Sequence, residues 1–224
     1  MRLPAAELLG SGHTKPMISK ILFILLNFKK LKIRKGLTTT QLYSELNFVN
    51  ATREKRLHYA QMVIKNPDLM PHLLEILFWV DDKLSCRAAW ILEFVCKENL
   101  ELLFPYLDNF TEQIHKVHLD SAVRPIAKIC EFLIKSYYSK EENPIKTALQ
   151  QKHQEKIIET CFDYMINDEK IAPKAYAMNT LYLLGKDFEW IHPELRQILE
   201  RDYPNQSAGF KARAKHILSK IKAS

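Results

Sequence analysis

Apolar residues return at helical spacing through most of the chain. Between residues 83 and 97, Leu84, Ala88, Ile91, Leu92 and Val95 fall at i, i+4, i+7, i+8 and i+11. That spacing puts them on one face of a helix. The same pattern predicts a helix at 69–80, with Leu73, Ile76, Leu77 and Val80 on one face. Another is predicted from about 120 to 135, with Ala122, Ile126, Ile129, Cys130 and Leu133 inward. Leu103, Leu107, Phe110 and Ile114 form a stripe around Pro105, whose missing N–H predicts a bend or a break. Ile157, Ile158, Cys161, Phe162 and Met165 mark a further helix, and Leu195, Ile198 and Leu199 one that starts near Pro193.

Cap and breaker residues divide this pattern into units. Thr38 to Gln41 has capping-box spacing and opens a first short helix ending near Val49. Asn50 is positioned to cap a second helix that Asn66-Pro67 ends near Lys65. Asp81 or Asp82 caps the helix at 83–97, and Asp120 the one that follows. Residues 137–146, with Asn143-Pro144, read as a longer inserted loop. Asn167-Asp168-Glu169 separates two helices, the second with Pro173 in its first turn. The last helix, at 208–222, carries Lys and Arg on its outer face, as suits the end of an array.

The units repeat. Ile-Leu-Glu-Phe-Val-Cys-Lys at 91–97 returns 38 positions on as Ile-Cys-Glu-Phe-Leu-Ile-Lys at 129–135. Asp82 falls on Asp120 and Ala89 on Ala127, whereas Trp90 falls on Lys128. A weaker echo at an offset of 37 pairs Lys174, Ala175, Ala177 and Leu181 with Lys211, Ala212, Ala214 and Leu218. A helical repeat of this length predicts an all-α fold, an α-solenoid of about five antiparallel helix pairs. Asp82, Ala89, Glu93, Phe94 and Lys97 recur and belong to the repeat. Arg87 and Trp90 do not recur, which leaves them for function to explain.

Composition and charge narrow the choices. The 224 residues are 47% hydrophobic and 26% charged, as in an ordinary soluble globular protein. Of 5 glycines, only Gly185 and Gly209 lie beyond residue 37, so the helical region holds no glycine-rich phosphate loop. The net charge of +7 is local: residues 1–37 hold 8 Lys/Arg against Glu7, leaving 25 Lys/Arg and 25 Asp/Glu for 38–224. The domain division follows: a basic, loosely ordered extension at 1–37 and a neutral repeat domain at 38–224. A neutral domain lacks the footprint of a non-specific nucleic-acid binder. The apolar run at 21–26 falls short of the roughly 20 residues a bilayer span needs, and no small-x-small cleavage pattern follows it. The stretch at 18–35 remains the one candidate for contact with a membrane surface. Cys86, Cys96, Cys130 and Cys161 form no Cys-x-x-Cys pair and read as reduced and structural, consistent with a cytoplasmic setting.

The positions Asp82, Arg87 and Trp90, then Asp120, Arg124 and Ala127, then Lys174 or Lys211 with Ala three on and Leu seven on, resemble HEAT-like (armadillo-type) repeats over about 38–223. The segments at 43–50, 87–96 and 118–125 are also similar to a group of short bacterial proteins that carry the name adenylosuccinate lyase. The Ser-rich signature loop of that lyase, with its Met-Pro and Lys, does not occur here. The HEAT resemblance implies that second helices line a concave surface. Their outward residues Arg87, Trp90, Glu93, Arg124, Lys128 and Glu131 would then form a strip for a protein or peptide partner, since Arg and Trp are favoured anchors. In the competing reading, Arg87 stacks on Trp90 and pairs within the chain. His115, His118 and Asp120 have metal-ligand types, but they straddle a turn and read as surface histidines plus a cap.

HEAT-like alkylpurine DNA glycosylases supply an enzymatic alternative, for which Trp79, Asp81, Asp82, Trp90 and Arg124 would be the candidates. Lyase activity is a third. The first expectation is a non-enzymatic scaffold with no catalytic, metal-binding or cofactor-binding residue, a protein or peptide partner, and nucleic acid as the less favoured partner.

Overall fold

The computed structural model describes residues 37–223, and the described residues hold eleven α-helices. These are α1 (Thr39–Leu46), α2 (Arg53–Lys65), α3 (Met70–Leu77), α4 (Lys83–Glu98), α5 (Leu107–Gln113), α6 (Asp120–Tyr137), α7 (Ile145–Ala148), α8 (Gln151–Ile166), α9 (Ile171–Leu184), α10 (Ile191–Asp202) and α11 (Ala208–Ala223). No strand occurs among the described residues. The basic extension read at 1–37, with its stretch at 18–35, lies outside them except for Leu37.

In chain order the helices form five successive pairs, α1/α2, α3/α4, α5/α6, α8/α9 and α10/α11. The members pack on each other in α3/α4, α8/α9 and α10/α11, while α1 packs on α3 and α5 on α8. The second members stack in series, α2 on α4, α4 on α6, α6 on α9 and α9 on α11. This is the expected α-solenoid. Ala89 in α4, Ala127 in α6, Ala177 in α9 and Ala214 in α11 are fully buried. A methyl at that repeated position lets successive second helices approach closely, which explains why it recurs. The stripes fill the space beside them: Leu84, Ala88, Ile91, Leu92 and Val95, and Ala122, Ile126, Ile129, Cys130 and Leu133, are all buried. Each fully buried aliphatic side chain contributes about 1.5–3 kcal/mol relative to exposure. All four cysteines are free and buried, and burial pushes the Cys130 thiol up to about 12.

The recurring lysine has a physical role. Lys174 Nζ donates to the Met165 carbonyl at 3.2 Å, and Lys211 Nζ to that of Pro204 at 3.0 Å. Lys174 closes the carbonyl end of α8, and Lys211 the 3₁₀ turn Tyr203–Asn205 that follows α10. Pro105 does divide its helix: residues Leu100–Tyr106 form a 3₁₀ segment and α5 begins at Leu107. α8 is tied to α5 through His153, whose Nδ1 accepts from the Gln150 N–H at 3.1 Å while Nε2 donates to Asp108 at 2.6 Å.

Several caps differ from expectation. The box at Thr38 and Gln41 forms, and Asp82 caps α4 through Leu84 N at 2.8 Å. Asn50, however, does not cap α2. Thr52 does, and Asn50 instead accepts from the Thr52 hydroxyl at 2.6 Å. Asp120 is the first residue inside α6 and makes no capping bond; its carboxylate pairs with Lys170 at 2.6 Å. Helix α3 ends at Leu77, so Val80 sits half-buried in the turn rather than on the helix face. The long insertion contains α7, whose Ile145 is fully buried and starts with an Asn143 side-chain bond of 3.1 Å.

Candidate functional site

The N-terminal parts of α2, α6 and α9 and the middle of α4 border a cleft of about 320 Å³. Ala51 and Arg56 come from the start of α2, Trp90 from α4, Asp120, Ser121 and Arg124 from the first turns of α6, and Glu169, Lys170, Ala172 and Pro173 from the entry to α9. The cleft lies along the stack of second helices: the starts of α2, α6 and α9 contribute residues outside the core, and α4 contributes Trp90 from its middle.

Trp90 forms a wall of the cleft, and the reason lies in α6. Pro125 sits inside that helix and has no N–H for the Ser121 carbonyl four residues earlier. The Trp90 indole supplies the missing donor, Nε1 to Ser121 O at 2.7 Å. An orphaned carbonyl is thereby satisfied without breaking the helix.

Arg87 also bonds within the chain: Nη1 donates to the Leu46 carbonyl at the end of α1, at 2.9 Å. Arg87 and Trp90 therefore do not stack as a pair; each ties its helix to a different neighbour. Tyr43 adds to the first link, its hydroxyl donating to Asp82 at 2.8 Å. That bond to a carboxylate raises the Tyr43 pKa.

Arg124 and Glu93 form a bidentate pair across α6 and α4, with bonds of 3.1 and 2.7 Å. Arg56 reaches the same face from α2, its guanidinium 5.0 Å from the centre of the Phe94 ring and Nε donating to Thr52 O at 3.4 Å.

Lys128 and Glu131 differ from expectation. Glu131 is only 3% exposed and is a core residue, unable to face a partner. Lys128 at 2.6 Å, Lys135 at 2.8 Å and Asn179 at 3.1 Å surround its carboxylate. Burial alone would push that carboxyl up, but the two lysines outweigh it and hold it below the usual range. Lys128 lies over the Tyr176 ring at 4.3 Å. The expected strip thus splits: Trp90 and Arg124 line the cleft, Glu93 anchors Arg124 from outside the lining, and Arg87, Lys128 and Glu131 hold helices together.

The remaining candidates do not converge. Trp79 packs on Tyr43 with ring centres 5.4 Å apart, Asp82 caps α4, and Asp81 faces His118 at 3.3 Å. Asp120 faces Lys170 rather than either histidine.

Arg56, Glu169 and Lys170 went unselected by sequence reasoning. Arg56 shares the arginine type of Arg87 and Arg124, yet its helix shows no clear copy of the 38-residue pattern. Glu169 and Lys170 lie in a turn. Burial, and then the Asp120 charge, raise the Glu169 carboxyl above the ordinary value, against the pull of Lys174.

A family model described as a HEAT repeat domain matches residues 50–221 of the chain. No curated protein matches it, and no solved structure does.

Proposed function

The chain belongs to the HEAT repeat family, and from that premise we propose that it is a non-enzymatic scaffold that binds a protein or peptide partner on the outward, concave face of its second helices. The cleft between α2, α4, α6 and α9 carries this reading. It combines a half-buried indole with guanidinium groups on a rigid array, and Trp and Arg so placed are common binding anchors. Helices stacked through buried alanines hold these groups in place before a partner arrives, which lowers the ordering cost of binding.

The test uses Ala172→Arg, which fills the cleft from its α9 side without touching the core. The full chain and this variant are immobilised and exposed to native lysate, with circular dichroism confirming equal folding. Wild type is expected to retain a defined partner that the variant loses. Identical bound sets would sink the proposal.

A further inference from the structure

We infer that the cleft recognises a peptide segment bearing one acidic and one basic side chain, the acid seated on Arg56 and the base on Glu169. This rests on the binding role proposed above and specifies the chemistry of the partner. The cleft leaves two of its charges uncompensated. Arg124 is neutralised by Glu93 through two hydrogen bonds, and Lys170 by Asp120 at 2.6 Å. With both pairs removed from the account, two charged residues of the lining remain, Arg56 and Glu169.

Neither forms a salt bridge among the described residues. The Arg56 guanidinium rests on Phe94 and uses Nε for the Thr52 carbonyl. Its two terminal nitrogens are left as a planar pair of donors, the arrangement that takes a carboxylate in bidentate fashion. Glu169, at the α9 end, is half-buried beside Asp120, with Asp168 adjoining it and the Lys170 charge committed to Asp120. Lys174 and Lys170 both attract it, but the Lys174 ammonium is buried and bonded to the Met165 carbonyl and neither lysine forms a salt bridge with it. Burial first, and then the Asp120 charge, raise the Glu169 carboxyl above its ordinary value, and no cation of the cleft pairs with it directly. A partner ammonium or guanidinium would supply that pairing. The indole of Trp90 and the ring of Pro173 lie in the same lining and offer apolar contact to the backbone between the two charges.

The experiment measures fluorescence anisotropy of the full chain with labelled eight-residue synthetic peptides. One set holds a Glu and an Arg two to five residues apart; the others hold two Glu, two Arg, or neither. Wild type is expected to bind the mixed set about tenfold more tightly than the rest, the scale of one charge-assisted bond. Arg56→Glu should shift the preference to the two-Arg set, and Glu169→Arg to the two-Glu set. A variant that simply unfolds would lose all binding and its helical signal, whereas a reversed preference requires an intact cleft. Equal affinity for all four sets, no binding by wild type, or a preference that neither variant moves would overturn the inference. If lysate capture still responds to Ala172→Arg in that case, the partner-binding role survives and only its charge chemistry fails.

Discussion

The α4–α6 junction and the α6–α9 junction place the same residue type at the same repeat position and use it differently. Glu93 and Glu131 stand 38 residues apart within the echoed segments. Glu93, with its side chain 13% exposed, crosses to Arg124, itself a third exposed, at the border of the cleft. Glu131, with its side chain 4% exposed, sits inside the array, where two lysines of its own helix and Asn179 of α9 enclose it. One glutamate fixes a surface group in place, and the other locks two helices. A repeated residue therefore secures a repeated position, while the next helix decides what it does there. In α9 the position equivalent to Arg124 holds Lys174, which turns to the Met165 carbonyl, and Asn179 is the residue that meets Glu131.

The comparison breaks most readily at Glu131. Glu131→Ala is expected to cost about 3 kcal/mol, because it leaves Asn179 and two cations without their buried partner. Urea unfolding measures this. An effect no larger than that of Glu93→Ala would erase the distinction between the junctions.

Trp90→Phe comes next, at about 1 kcal/mol, the net worth of the indole bond to the solvent-exposed Ser121 carbonyl. In the Pro125→Ala background a backbone N–H returns to that carbonyl. The cost of Trp90→Phe should then fall by at least half in a double-mutant cycle. An unchanged cost would show that the indole contributes by packing alone.

Glu93→Ala should cost only about 1 kcal/mol, because Arg124 keeps access to water. Its clearer signature is loss of partner binding as Arg124 is released.

The smallest effect concerns acid. The Glu131 carboxyl is held below its ordinary value of 4.5, so its contribution is complete above that pH and fades as pH falls below it. Glu169 is raised above 4.5, so its penalty appears as pH climbs through that value and beyond. Glu169→Gln should therefore gain stability at pH 7 relative to pH 4, by less than about 1 kcal/mol for a half-exposed group. Glu131→Gln should lose it over the same interval. Melting temperatures at the two pH values separate the signs.

The ten helices of the five pairs, most of their buried stripes, the alanine positions and the 37- and 38-residue periods were legible in the chain, whereas α7 lies where a loop was expected. Local hydrophobic spacing dictates which face a helix must bury, and equivalent helices need equivalent faces. The cap of α4 was legible down to two neighbours, Asp81 or Asp82, because capping is settled within three residues, and Asp82 takes it. Asn50 and Asp120 have the right residue types in the right places, yet Thr52 takes one role and Lys170 draws Asp120 away from the other. Lys170 is 50 positions away, beyond what local spacing can reveal.

The sequence by itself determined a stack of helix pairs and singled out Trp90 and Arg87 as departures from the repeat. It did not determine what those departures do. That required the stacking, which sets Trp90 against a carbonyl deprived by Pro125, Arg87 against the end of α1, and Arg56 and Glu169 along one cleft. Periodicity along a chain records which side faces inward. Which charge meets which depends on helices that are distant in sequence and adjacent in space, so only the tertiary structure could leave Arg56 and Glu169 unpaired.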